Sequence, residues 1–338
     1  MTSALAAPVK ITVTRERWPL VAPFRISGYS FATTNTLTVS LESGGQIGRG
    51  EASGVYYRND GIEQMLEQIE SVRGAIEAGI DRSRLQALLP GGGARNALDC
   101  ALWDLEAKLK DRTVSQIAGL GQPRSLVTTF TCGADEPAAM AAAALRYKDA
   151  RAIKLKLTGE PLDVERVLQV RRACPRVWLG VDANQGFTRA FPEQIMPALC
   201  EARVELIEQP FPMDQDSHLD GLKSPIPIAA DESVQGIADL PRLVGRYSVV
   251  NIKLDKCGGL TEGLAIARAA KELGLESMIG NMTGTSLAMA PAFVVGRLCR
   301  IVDLDGPTFL KRDRETPVRY VRGRIIVPTG LWGSRVSI

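Results

Sequence analysis

Short apolar runs recur at nearly equal intervals through the second half of the chain, and five of them end in a charged side chain. The residues that close these runs follow one another at intervals of 23 to 26 positions and are Lys156, Asp182, Glu208, Asp231 and Lys256. Such an interval fits one buried strand, one helix and two short loops. Continuous apolar runs are typical of strands buried on both faces, as parallel strands are. The repeat therefore predicts a parallel (β/α) barrel.

The ends of these runs predict a site as well as a fold. A (β/α) barrel brings the C-terminal ends of its strands together around one mouth, where its active sites lie. Asp182, Glu208 and Asp231 close three consecutive runs, so their carboxylates should meet and could hold a hard cation such as Mg²⁺ through oxygen. Lys156 and Lys256 would then flank the metal from opposite sides of the ring.

Composition excludes several kinds of partner. The chain has 338 residues, which favours about two domains, and its net charge of +3 comes without a dense basic run. Nucleic acid and anionic membrane are therefore not expected as main partners. No apolar stretch reaches the roughly 18 residues of a membrane span, and residues 1–8 lack the pattern of a signal peptide.

Cysteine and histidine usage narrows the chemistry. The six cysteines show no metal or redox spacing, so we expect reduced thiols and a cytoplasmic protein. His218 is the single histidine, which excludes a multi-histidine metal site. Acid–base chemistry must therefore use lysine, aspartate, glutamate or tyrosine.

The first part of the chain has a different pattern. Alternating apolar residues at 9–13 and 37–41 predict antiparallel strands. Between them, residues 23–31 are predicted to form a loop with aromatic tips, and residues 53–61 form a second irregular stretch. A helix is predicted at 62–78. This region is therefore expected to be α+β.

The pattern changes near residue 121 and stops after Asp305, which divides the chain in three. We predict an α+β domain at 1–123 and a barrel at 124–310, where strand and helix patterns alternate. Residues 311–338 return to short strand-like runs, and we predict that they rejoin the first domain.

Five motifs, in this order and spacing, resemble the signature of the enolase superfamily. They are Lys154-Leu155-Lys156, Val181-Asp182-Ala183-Asn184, Ile207-Glu208-Gln209-Pro210, Ala230-Asp231-Glu232-Ser233 and Asn251-Ile252-Lys253-Leu254-Asp255-Lys256-Cys257-Gly258-Gly259. The pair Lys154-Leu155-Lys156 and the lysine in the motif at residues 251–259, after the predicted sixth strand, resemble the muconate lactonizing enzyme subgroup. Asp303-Leu304-Asp305 and residues 94–105 resemble the dipeptide epimerases of that subgroup, L-Ala-D/L-Glu epimerases in particular. The resemblance runs over essentially the whole chain.

The resemblance implies an α/β fold in which an α+β capping domain covers a modified (β/α) TIM-type barrel. It also implies a homo-oligomer. The three carboxylates named above match the Mg²⁺ ligands of the superfamily. Lys156 and Lys256 match its two acid/base residues, and we assign a structural role to Lys253.

The resemblance also implies where a dipeptide substrate binds. Asp303 and Asp305 match the anchor for the substrate's α-ammonium. Residues 24–31 and 54–60 match the mobile specificity loops of the family. The remaining predicted substrate-binding residues are Lys154, Arg25, Tyr56 and Thr283.

These residues suit a two-base epimerisation. Removing the proton beside a carboxylate produces an enediolate, and a divalent cation on the carboxylate oxygens stabilises the developing charge. Inverting the centre needs one base on each face, and two lysines across the barrel mouth supply that geometry. Neighbouring cations, such as Lys154 beside Lys156, lower the pKa of a lysine and make it a better base.

Other functions use parts of the same constellation. An o-succinylbenzoate synthase or cycloisomerase-type lyase shares the metal and the lysines but needs no acidic pair for an ammonium. An N-acylamino acid racemase would turn over acetylated and free substrates alike. The complete carboxylate triad argues against a Schiff-base barrel enzyme, which would use a lysine as its nucleophile. The complete set of carboxylates and lysines argues against a non-catalytic binding protein.

One departure from the family concerns the substrate side chain. L-Ala-D/L-Glu epimerases carry an arginine late in the first specificity loop, which suits a glutamate carboxylate. Here residues 28–31 contain no cation, and Arg25 lies about three positions early. Because an aromatic loop favours apolar side chains through burial, we predict a broadened side-chain preference.

Overall fold

The structure, a computed structural model, describes residues 8–121 and 125–334. The predicted division at 123/124 therefore lies outside the described residues, as do residues 1–7 and 335–338 of the predicted segments. The amino-terminal part forms an antiparallel sheet in the order β1-β2-β3, followed by helices. Its elements are β1 (Lys10–Ile26), β2 (Tyr29–Ser43), β3 (Gln46–Ala52), α1 (Ile62–Glu77), α2 (Arg82–Leu88), α3 (Gly93–Leu109) and α4 (Val114–Ile117).

Helix α3 forms the centre of this capping domain and is buried along most of its length. Its leucines pack against the apolar face of the sheet, which includes Val39 and Leu41. Strand β3 lies directly on the helix because Gly48 has no side chain: a Cβ there would come within 2.2 Å of the Ala101 carbonyl oxygen. The burial of these apolar faces stabilises the domain.

The predicted loop at residues 23–31 is wrong, because these residues form the tip of a long β-hairpin. Strands β1 and β2 continue to Ile26 and Tyr29, and Gly28 turns the chain with a φ of +75°. The ladder is irregular between Pro19 and Phe24. Strand β1 is an edge strand, where prolines without an N–H are tolerated, so they interrupt the apolar alternation without ending the strand.

The predicted barrel is confirmed, since eight parallel strands pair in chain order. Strand β4 (Leu126–Val127) precedes it. The barrel strands are β5 (Thr129–Cys132), β6 (Ala152–Lys156), β7 (Trp178–Asp182), β8 (Leu206–Glu208), β9 (Ile228–Ala230), β10 (Val249–Ile252), β11 (Glu276–Ile279) and β12 (Ile301–Val302). Its helices are α5 (Pro137–Arg146), α6 (Leu162–Ala173), α7 (Phe191–Glu201), α8 (Leu240–Leu243), α9 (Leu254–Cys257), α10 (Leu260–Glu272) and α11 (Ser286–Gly296).

The C-terminal segment contacts both parts of the molecule. Strands β13 (Arg319–Val321) and β14 (Arg324–Ile326) form a small sheet with β4. The indole of Trp332 donates to the Arg49 carbonyl oxygen at 2.8 Å. Arg314 pairs with Glu16 and Glu51 of the capping sheet and also donates to Thr285 at the start of α11.

Among the described residues, the structure has no helix with the length and apolarity needed to cross a bilayer. The homo-oligomeric assembly and the cytoplasmic location stay predictions.

Candidate active site

Three carboxylates meet at the mouth of the barrel. Asp182 and Glu208 end β7 and β8, and Asp231 directly follows β9. One oxygen from each lies within 4.8 Å of the others, and all three side chains are buried. Burial, with the neighbouring Asp182 carboxylate, raises the pKa of Glu208 to about 7. Buried carboxylates that face one another are stable when a cation takes up their charge, and a hard divalent ion suits this all-oxygen donor set.

Among the lysines that contact the triad, three pair with different carboxylates. The Lys156 ammonium lies 2.5 Å from Asp182, and the Lys253 ammonium lies 2.6 Å from Asp231. The Lys154 ammonium lies 3.2 Å from Glu208. Carboxylates and lysine ammonium groups therefore alternate as partners at the barrel mouth, where the strand ends predicted a ring of charged side chains.

A cavity of about 290 Å³ lies above this ring and below the capping domain. Lys156 and Lys253 both line it. Aromatic side chains form part of its outer wall: Phe24 and Phe31 come from the hairpin and Tyr56 from the 53–61 segment. Tyr56 contacts Phe31 with ring centroids 5.3 Å apart. The cavity thus joins two basic side chains to an aromatic wall.

The structure does not place Lys256 in this cavity. Its side chain is 1% exposed, and its ammonium donates to the Asp231 carbonyl oxygen at 2.5 Å, to the Asp231 carboxylate at 2.6 Å and to the Asn251 carbonyl oxygen at 3.0 Å. These acceptors occupy all three protons of the ammonium. Lys256 therefore holds Asp231 in place from outside the cavity. Lys253 lines the cavity instead, at the position predicted for Lys256.

The predicted ammonium anchor is buried beside the ring. Asp303 accepts hydrogen bonds from Lys154 and Thr129, and Asp305 accepts from the Thr131 N–H at 2.6 Å. Burial, with the nearby Asp303 carboxylate, raises the pKa of Asp305 to about 7. Neither aspartate lines the cavity, and the Lys154 ammonium already pairs with Asp303.

Of the other predicted substrate-binding residues, two line the cavity and one does not. Tyr56 and Thr283 both contribute to its wall. The Thr283 carbonyl oxygen accepts from Thr34 at 2.8 Å and from Ser53 at 2.9 Å, which joins the barrel to the capping domain. Arg25 is exposed, and its backbone carbonyl accepts from the Ala134 N–H at 3.1 Å.

Sequence reasoning missed two amides that hold the triad in place. The Gln209 side-chain oxygen accepts from the backbone N–H groups of Asp231, at 2.9 Å, and Ser233, at 3.1 Å. The Asn251 amide donates to Glu208 at 2.6 Å. A polar residue inside a buried apolar strand run, as Asn251 is, was the signal that could have pointed to such a role.

A ring of strand-end carboxylates and lysines under a capping domain defines a barrel with a site for a divalent cation and titratable lysines beside it. The chain belongs to the enolase superfamily. Residues 8–119 match the mandelate racemase / muconate lactonizing enzyme N-terminal domain, and residues 137–331 match the enolase C-terminal domain-like family.

Relatives of the chain are named epimerases and racemases, which are isomerases. The chain is 37% identical to the L-Ala-D/L-Glu epimerase of Escherichia coli (strain K12) over 93% of this chain and 98% of that protein. It is 42% identical to an N-acetyl-D-glutamate racemase of Pseudoalteromonas sp over 75% of this chain and 80% of that protein.

Solved structures show the same relationship. An enolase family member from Agrobacterium tumefaciens with homology to dipeptide epimerases, solved with sodium and L-Ala-L-Glu, is 38% identical and has a TM-score of 0.93. The match covers 96% of this chain and 100% of that chain. Several dipeptide epimerases among the structural relatives were solved with Mg and a dipeptide.

Proposed function

We propose that the protein is a Mg²⁺-dependent dipeptide epimerase that inverts the α-carbon of the C-terminal residue by two-base 1,1-proton transfer. One observation carries the proposal: Lys156 and Lys253 line the same cavity and pair with Asp182 and Asp231, the two outer carboxylates of the triad. A deuterium-exchange screen of a dipeptide library in D₂O with Mg²⁺ tests it. Absence of α-proton exchange from every dipeptide would refute it.

Asp182, Glu208 and Asp231 would hold the cation. When bound, Mg²⁺ supplies Lewis-acid stabilisation of the charge that develops on the substrate carboxylate. One of the two lysines takes the α-proton from one face, and the other returns a proton to the opposite face. The aromatic side chains above them exclude water from the reacting carbon.

Lys253 replaces Lys256 as the second base in this proposal. Burial alone would lower the pKa of Lys253, but the Asp231 and Glu208 carboxylates hold that pKa well above its usual value. Lys253 can therefore act as a base only when the negative charge of Asp231 is shared with another cation. Asp231 is one of the proposed metal ligands, so this condition is met when the site is loaded.

The ammonium anchor gives a testable difference between substrates. We propose that Asp303 and Asp305 bind the free N-terminus of the dipeptide. Charge-assisted hydrogen bonds of this kind contribute roughly 1.5–3 kcal/mol each. N-acetyl-L-Ala-L-Glu is therefore expected to show a kcat/KM at least about tenfold below that of L-Ala-L-Glu. Asp303→Asn should produce a similar loss with the free dipeptide, whereas the exposed Glu205→Gln should not.

A second candidate function is an N-acylamino acid racemase. Two observations favour it: Lys154 already pairs with Asp303, and the relative that is 42% identical is named N-acetyl-D-glutamate racemase. Equal kcat/KM for acetylated and free dipeptides, together with rapid racemisation of N-acetylglutamate, would establish this function instead.

The side-chain preference is expected to be broad. Among the described residues no arginine lines the cavity, whose wall contains Phe24, Phe31 and Tyr56. L-Ala-L-Glu should be accepted, but its kcat/KM should exceed those of L-Ala-L-Phe, L-Ala-L-Leu and L-Ala-L-Gln by less than about a hundredfold, or about 2.7 kcal/mol. A larger preference would contradict the prediction. In that event Arg25→Ala, with the exposed Arg17→Ala as its control, would show whether Arg25 supplies the missing cation.

A further inference from the structure

The two proposed bases are held in different ways. Lys156 is the last residue of β6 and is paired in register with Asp182 of β7, and the preceding residue, Leu155, is paired with Cys132 of β5, so Lys156 belongs to the regular part of the barrel. Lys253 follows the end of β10 and is the N-cap residue of α9, a helix of four residues. A helix of one turn is not stable by itself, because it satisfies few backbone hydrogen bonds for the entropy it loses. The position of Lys253 therefore depends on contacts from outside its strand.

The capping domain supplies the first of these contacts through Asp255. This aspartate lies two residues after Lys253 and is 6% exposed. Its Oδ1 accepts from the backbone N–H groups of Ser53, at 2.8 Å, and Gly54, at 3.0 Å. Gly54 has a φ of +72°, and a Cβ there would lie 1.9 Å from the Asp60 carbonyl oxygen. The backbone that donates to Asp255 is thus fixed in a conformation suited to glycine.

The second contact comes from Arg95 on α3. Its guanidinium donates to the carbonyl oxygens of Cys257, at 2.5 Å, and Gly258, at 3.2 Å. These carbonyls lie at the C-terminal end of α9, where backbone acceptors lack helical partners and a cation is favoured. Arg95 is 7% exposed, so this interaction is shielded from solvent.

Asp99 lies one turn after Arg95 on the same face of α3. It accepts from the Thr261 N–H at 2.9 Å, near the start of α10, and a Cβ on Gly259 would lie 2.6 Å from its own Cβ. Residues 94–105, which resemble the dipeptide epimerases, therefore carry two side chains that hold the turn between α9 and α10.

We propose that the capping domain positions Lys253, and not Lys156, through the α9 clamp, which consists of Arg95, Asp255 and the backbone N–H groups of Ser53 and Gly54. Arg95 and Asp255 are positioning residues in this scheme, since neither lines the cavity. The proposal rests on the proposed function, because it assigns the clamp to one of two bases.

The clamp has a consequence that a general structural role lacks. Loosening α9 displaces the base on one face of the substrate and leaves the base on the other face in its strand. Epimerisation in both directions should slow, since each direction needs both lysines. Exchange of the α-proton should slow only for the epimer that Lys253 deprotonates.

The experiment measures initial α-proton exchange in D₂O, with Mg²⁺, for L-Ala-L-Glu and L-Ala-D-Glu separately. Asp255→Leu and Arg95→Leu should shift the ratio of the two exchange rates about tenfold or more in the direction set by Lys253→Ala. Asp255→Asn keeps an acceptor oxygen, so its ratio should stay near that of the unmodified protein. Arg95→Lys keeps the charge and should restore part of the ratio.

Arg314→Met is the matched control, because Arg314 joins the capping sheet to α11 without contacting α9. It should lower the melting temperature and leave the ratio unchanged. If the clamp variants slow both epimers equally, or if the control also shifts the ratio, the clamp proposal is overturned. If Lys156→Ala and Lys253→Ala do not prefer opposite epimers, the two-base assignment fails, and the clamp proposal fails with it.

Discussion

Glu208→Gln is expected to abolish turnover while the protein remains folded. Glu208 is the middle carboxylate of the triad, and its replacement removes one of three proposed metal ligands. Because the cation and its ligands act where charge develops in the transition state, kcat/KM should fall by at least about a thousandfold. EDTA should abolish the activity of the unmodified protein, and added Mg²⁺ should restore it.

Glu205→Gln is the matched control for this variant. Glu205 is exposed and lies three residues before Glu208 in the same segment, so the same chemical change is made outside the triad. Mg²⁺ affinity, measured by calorimetry, should fall only in Glu208→Gln. Full activity of metal-free protein would be incompatible with the proposed site.

Lys156→Ala and Lys253→Ala are each expected to lose epimerisation by about a thousandfold or more. Each variant keeps one base, so each should still exchange the α-proton of one epimer with solvent. The two variants should prefer opposite epimers, because we propose that the lysines approach the substrate from opposite faces. Proton NMR in D₂O with L-Ala-L-Glu and L-Ala-D-Glu reports both exchange rates.

Lys256→Ala decides between the structure and the sequence prediction. The structure leads us to expect a less stable protein with weaker metal binding, since Lys256 braces Asp231. Both epimers should then exchange more slowly, without a preference. If Lys256→Ala were selective for one epimer and Lys253→Ala were not, Lys256 would be the second base after all.

The barrel and the triad could be predicted from the sequence because both depend on strand ends. A strand buried on both faces is visible as an apolar run, and the residue that closes the run lies at the barrel mouth. Asp182, Glu208 and Asp231 could therefore be placed by counting alone. A separate α+β domain could also be predicted, because the alternating apolar pattern of the first part of the chain gives way to regular repeats.

The choice between Lys253 and Lys256 depended on less than one helical turn. Strand β10 ends at Ile252, so Lys253 directly follows the strand, whereas Lys256 lies within α9 and pairs with Asp231 outside the cavity. A spacing of about 25 residues fits either lysine and cannot detect a one-turn helix. Contacts between distant residues, such as Lys154 with Asp303, could not be predicted either, because they depend on closure of the barrel, which brings the residues after β12 beside β5 and near β6.

Arg314 affects the order in which the molecule is assembled during synthesis. It follows Glu51 by 263 residues and Glu16 by 298, yet it supplies the cation that pairs with both. Glu51 is buried, so its carboxylate lacks this cation until residue 314 has been synthesised and has left the ribosome. Contacts this distant in sequence form late, because a long loop must close first. We therefore expect the barrel to fold before its cover, although the cover is synthesised first, and the wall of the cavity to close as one of the final events.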